Sequence, residues 1–116
     1  MEGALPEKMI SITGAVCSQD GQVLEDIAIT FRSYLQNDMD AALITTETVY
    51  SNSKGEFSIL AAGADTDLFC ILTAEDPSGL YESQTRKILV SWEGVSFDRS
   101  SNTYVVNDCS FVLDRK

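Results

Sequence analysis

Residues Ile10, Ile12, Gly14 and Val16 alternate with Ser11, Thr13 and Ala15. Side chains two apart on a strand share a face, so this order predicts a β-strand half-buried against a core. The same period of two returns along the chain and limits the architecture more than any other feature. Ile27, Ile29 and Phe31 lie on one face of a second predicted strand, with Thr30 and Arg32 on the other. Residues 42–51 are rich in threonine, valine and tyrosine, which favour strands. Phe57, Ile59 and Ala61 alternate with Glu56 and Ser58 in a fourth strand. The short turn Asn52-Ser53-Lys54-Gly55 between the third and fourth strands predicts a hairpin.

Leu68 to Ala74 is nearly all apolar, as in a central strand covered on both faces. Glu75-Asp76-Pro77-Ser78-Gly79 ends it, because proline cannot donate to a ladder. Ile88 and Val90 share one face of a sixth strand, opposite Leu89, and 95–103 reads as a polar loop. Tyr104 to Leu113 completes a seventh strand. Sustained helical periodicity is missing, so an all-β sandwich is expected. One domain over 8–116 suits a chain of 116 residues, with 1–7 expected to be a disordered or extraneous leader.

Composition narrows the chemistry. Eighteen acidic and eight basic residues give a net charge of −10, which excludes a basic footprint for nucleic acid. The chain contains no histidine, which removes histidine-based triads and histidine metal ligands. Cys17, Cys70 and Cys109 are widely spaced and lie in apolar or strand-like runs, so they read as small buried hydrophobes. No nucleophile–base pair is visible, and no catalytic residue is assigned. The sequence shows no apolar run long enough to span a membrane.

Two binding readings remain. Asp76, Ser78 and Glu82 supply hard oxygen atoms at loop spacing, a candidate calcium site, with Asp65, Asp67 and the Gly63 carbonyl a poorer one. Otherwise no cofactor is expected. Trp92 and Tyr34, near predicted strand ends, are candidate stacking residues for a glycan or peptide. The strand around Thr45–Tyr50 is placed at a sheet edge, where an added peptide strand could pair.

A family resemblance extends these readings. The stretch from Gly14 to Ile29, with Gly21, Leu24 and Asp26 at its turn positions, resembles the opening of carboxypeptidase regulatory-like domains. Val49 to Ile59, containing Gly55-Glu56-Phe57, is similar to their second signature. Ser18, Val23 and Asp26 depart from the usual aspartate, proline and glycine. The resemblance implies a seven-stranded Greek-key β-sandwich of transthyretin (prealbumin) type. The order of these segments and Leu72 to Gly79 also looks like small lipoproteins found beside radical-SAM enzymes in Gram-negative bacteria. That likeness implies a non-catalytic module at the cell envelope, periplasmic or held by a lipid anchor outside this chain. Its partner would be a protein, a peptide or a glycan.

Overall fold

The computed structural model describes residues 8–35, 43–63, 67–94 and 97–116. The predicted leader 1–7 lies outside them. Nine strands form two sheets, and no helix is present among the described residues. They are β1 (Met9–Ser18), β2 (Ala28–Leu35), β3 (Leu43–Tyr50), β4 (Glu56–Ala62), β5 (Leu68–Glu75), β6 (Gln84–Val90), β7 (Phe97–Asp98), β8 (Thr103–Val106) and β9 (Phe111–Leu113). One sheet has the order β4-β1-β8-β7 with β9 also paired to β1, and the other has the order β3-β2-β5-β6.

The alternation found in the sequence does the work expected of it. Ile10, Ile12 and Val16 of β1, with Phe57, Ile59 and Ala61 of β4, form the inner layer of the first sheet. Ile29, Phe31, Leu68, Cys70, Leu72, Ala74 and Val90 form the opposing layer. Removing a large aliphatic or aromatic side chain of this kind from water stabilises the fold by about 1.5–3 kcal/mol. Leu24 plugs one end of the layer and Trp92 lies at its rim, both buried. β5 is central in its sheet, yet Phe69, Ile71 and Thr73 are only half-buried, so one of its faces is not covered.

The predicted hairpin between β3 and β4 is not formed. β3 pairs with β2, and β4 pairs with β1, so the two strands belong to different sheets. The turn itself closes as expected: the Asn52 amide donates to the Glu56 carbonyl at 2.9 Å, and the Gly55 amide to the Asn52 carbonyl at 2.9 Å. Ser51 causes the split. Its amide donates to the Ile27 carbonyl at 3.0 Å, its hydroxyl to the Leu24 carbonyl at 2.7 Å, and the Ile27 amide donates to its Oγ at 3.0 Å. A buried serine thus ties the end of β3 to the start of β2 before the chain turns across the sandwich.

The predicted seventh strand is two strands, and a further short one lies within the predicted 95–103 loop. β8 and β9 both run parallel to β1, opposite Met9–Ile12 and Val16–Ser18, and the chain between them bows inward. The Cys109 amide donates to the Thr13 carbonyl at 3.1 Å there. Gly14 makes this approach feasible, because a Cβ at that position would lie 1.8 Å from the Cys109 carbonyl oxygen. The count of nine strands, and not seven, follows from this bow and from the two-residue β7.

Candidate functional site

A recess of about 630 Å³ opens where the crossing turn meets the bow. Its walls include Thr13 and Ala15 of β1, Tyr50 at the end of β3, Asn52, Glu56 and Phe57, and Asn107, Asp108 and Ser110 of the bow. That volume lies in the usual range for small-ligand sites.

Local structure sets each polar group. Gly55 adopts a φ of 75°, and a Cβ there would lie 2.6 Å from the Val16 carbonyl oxygen, so the turn packs directly on β1. The Asn52 Oδ1 accepts from the Lys54 and Glu56 amides, both at 2.9 Å, which leaves the side-chain NH2 as its remaining donor. Glu56 is exposed on the outer face of β4, and Asp108 is exposed on the bow. Tyr50 is 60% exposed, and Phe57 is buried beneath. The recess therefore joins two carboxylate acceptors and one amide donor to aromatic surface. The recess has no local signature in the sequence, because the bow has the pattern of a strand interior and the crossing turn that of a hairpin.

The predicted site residues are dispersed. Trp92 is 7% exposed and packs edge-on against Phe97 and Tyr104, with centroids at 5.2 and 6.3 Å. Burial removes it as an exposed stacking surface. Tyr34 lies on the outer face of the second sheet, stacked on Phe69 at 5.1 Å. The aromatic pair predicted for a ligand is thus divided between two regions.

The Asp76 carboxylate organises its own loop. Its Oδ1 accepts from the Ser78 amide at 2.9 Å and the Ser78 hydroxyl at 2.7 Å, and its Oδ2 from the Leu80 and Tyr81 amides at 3.0 and 3.2 Å. Partial desolvation pushes its pKa up, but these donors outweigh it and hold the carboxyl below its ordinary value. Asp76 and Glu82 border one shallow depression together with Lys116, and Asp76 and Ser78 border another with Glu25 and Asp26. Of the three predicted calcium ligands, Asp76 and Ser78 touch each other, and Glu82 shares a depression with Asp76 alone. Asp67 Oδ1 accepts from the Trp92 amide at 3.2 Å, and Asp65 lies outside the described residues.

All three cysteines are free thiols. Burial pushes the Cys70 thiol up to about 12, and burial also raises Cys109 against the opposing pull of Arg86. Neither supplies a thiolate at neutral pH.

No protein-family model matches the sequence, and no curated protein matches it. Solved structures do share its fold. Chlorocatechol 1,2-dioxygenase from Pseudomonas putida superposes with a TM-score of 0.65 at 13% identity, over 94% of this chain and 61% of that one. 3-Chlorocatechol 1,2-dioxygenase from Rhodococcus opacus 1CP gives 0.61 at 12% identity, over 100% and 63%. Hydroxyquinol 1,2-dioxygenase from Pseudomonas putida DLL-E4 gives 0.51 at 10%, over 97% and 58%. The chain spans about three fifths of the length of these enzymes.

The expectation of a non-catalytic module is overturned by these neighbours, because the sandwich it rested on is one that enzymes carry. Activating dioxygen calls for a redox group, and a transition metal in that role needs several converging nitrogen, oxygen or sulfur ligands. The chain has no histidine, and among the described residues no three cysteine, aspartate or glutamate side chains gather as a metal site. These residues do not fit such a metal. The structure establishes an all-β sandwich of an enzyme-related fold, shared with dioxygenases at low sequence identity.

Proposed function

We propose that the recess between the crossing turn and the bow binds a small neutral ligand with adjacent hydroxyl groups, a phenolic diol. The observation that supports this reading is the joining of two carboxylates, Glu56 and Asp108, to the exposed aromatic surface of Tyr50 in one recess of about 630 Å³. Ionised carboxylates accept hydrogen bonds and donate none, so they select ligands that bring O–H groups. The acceptor-rich rim and the net charge of −10 both disfavour anions. An aromatic ring finds an apolar partner in the exposed ring of Tyr50, and Asn52 keeps its NH2 as a donor for a ligand oxygen. The names of the structural neighbours, which act on catechols and hydroxyquinol, agree with this ligand class. The proposal assigns binding and orientation of the diol. No oxygen-insertion step is derived, because the ligand set does not fit a redox metal.

Calorimetric titration with catechol and with phenol tests the reading. Catechol is expected to bind, and phenol, lacking one donor, to bind roughly tenfold more weakly. Glu56→Gln and Asp108→Asn should each weaken catechol by roughly tenfold, since a hydrogen bond to a charged acceptor becomes one to a neutral amide oxygen. Binding should also fall as pH rises toward about 10, where a phenolic hydroxyl ionises and meets the carboxylates as an anion. Equal affinity for catechol and phenol, or a Glu56→Gln/Asp108→Asn double variant that binds unchanged, would sink the proposal.

A further inference from the structure

The outer face of the second sheet is built in rows, each one side chain per strand. Thr48, Thr30, Thr73 and Thr85 make one row, with hydroxyl contacts of 3.4 Å linking Thr30 to Thr48 and Thr73 to Thr85. The next row is Thr46, Arg32, Ile71 and Lys87. The last is Leu43, Tyr34, Phe69 and Leu89, where Leu43 is 51% and Leu89 61% exposed. A polar row, a cationic row and an apolar row therefore follow one another, about 7 Å apart along the strands.

The cationic row runs against the character of the chain. Only eight basic residues stand against eighteen acidic ones, yet two of the eight share this row. Among the described residues no acidic side chain pairs with Arg32 or Lys87. They flank Ile71 two strand spacings apart, about 10 Å. The Lys87 ammonium sits 4.6 Å from the centre of the Phe69 ring, and Phe69 stacks on Tyr34 with planes 18° apart. That packing holds the ammonium beside the apolar row instead of leaving it free in solvent. Two unpaired cations next to aromatic and aliphatic surface match a partner that carries carboxylates beside bulky apolar groups.

We propose that this face, formed by Arg32, Lys87, Tyr34, Phe69, Leu43 and Leu89, docks an acidic peptide segment of a partner protein, with carboxylates over Arg32 and Lys87 and apolar side chains over Tyr34 and Phe69. The site is separate from the diol recess and does not depend on it.

Fluorescence anisotropy with three labelled peptides tests the proposal: one alternating glutamate with phenylalanine, one with lysine in place of glutamate, and one with serine in place of phenylalanine. The glutamate–phenylalanine peptide is expected to saturate and to weaken as salt is added, and the other two to bind roughly tenfold more weakly. An Arg32→Glu/Lys87→Glu chain should reverse the order of the two charged peptides. Arg32→Gln/Lys87→Gln, a milder change at exposed positions, should give a partial loss in case the reversal unsettles the fold. Glu56→Gln/Asp108→Asn should leave peptide binding unaltered, which separates this face from the recess. Three results would overturn the proposal: no binding of the glutamate–phenylalanine peptide, equal binding by the charge-reversed chain, or sedimentation showing that the face is occupied by a second copy of this chain.

Discussion

The two sheets start from the same alternating pattern and treat backbone differently. In the first sheet a main-chain segment fills the space that a side chain would take: the Cys109 carbonyl presses on Gly14, and the Gly55 turn presses on Val16. In the second sheet β2 pairs with β5 in an unbroken ladder and with β3 in a ladder interrupted only by a register shift between Ser33 and Tyr34, and the variety lies in the side chains that each face presents. Tolerance to substitution should follow this division. Where backbone meets backbone, one methyl group is decisive. Where side chains line a face, the face decides.

The strongest break of the comparison is Gly14→Ala. The added Cβ would sit 1.8 Å from the Cys109 carbonyl oxygen and 2.9 Å from the Phe57 ring, so β1 or the bow must move. The change is expected to cost more than about 4 kcal/mol in urea unfolding, among the largest effects of single substitutions. Thr13→Ala, one residue earlier on the outward face, should stay within about 1 kcal/mol. A Gly14→Ala chain of near-native stability would show that the bow is loosely held.

Within the second sheet, Phe31→Ala and Arg32→Ala compare neighbouring residues on opposite faces. Phe31 is fully buried and should cost about 3–5 kcal/mol through lost burial and the cavity left behind. Arg32 is exposed and has no acidic partner among the described residues, so its removal should stay within about 0.5 kcal/mol. Comparable losses at the two sites would mean that the outer face is not the open surface described. Guanidinium titrations of the two variants decide the matter.

These pairs also show what could be read in the sequence. Ile10, Ile12, Phe31, Phe57 and Ile59 were legible as core because a period of two assigns each a face without any knowledge of partners. Gly21 and Gly55 were legible as turn residues, and both take positive φ. Partner choice was not legible. The Asn52–Gly55 turn looks the same whether the strands on either side pair with each other or separate, and the separation rests on Ser51, an unremarkable polar residue in the sequence. The recess depends on that separation and on the bow, both long-range features, so its residues carried no local signal. Trp92 failed as a surface aromatic for a related reason: its burial comes from Phe97, Tyr104 and Gly63, none of them periodic with it.

A smaller effect tests the inner face of β2 directly. Ser33 is fully buried opposite Cys70, and its Oγ has no hydrogen-bond partner among the described residues. An unpaired buried hydroxyl costs about 1–3 kcal/mol of desolvation. Ser33→Ala removes that group with little change of volume, so the variant is expected to be more stable, by about 1 kcal/mol. A loss of stability would reveal a partner for the hydroxyl.

The smallest effect concerns acid. Donors hold the Asp76 carboxyl below its ordinary value, so the folded chain binds that proton less readily than the unfolded chain does. Its stabilising contribution is therefore complete above the unfolded value, about 4, and fades as pH falls through the lower folded value. Asp76 is only half-buried, and solvent screening limits the contribution to a few tenths of a kcal/mol. Asp98 shifts in the same direction, chiefly through the Ser100 hydroxyl, as does Asp20 through Ser18, so part of the acid sensitivity belongs to them. Asp76→Asn should accordingly lower stability at neutral pH and flatten, without abolishing, the decline between about pH 4 and 2 in thermal melts. An unchanged slope would mean that the four donors around Asp76 bind the protonated and ionised carboxyl equally well, and that the loop holds its shape without the charge.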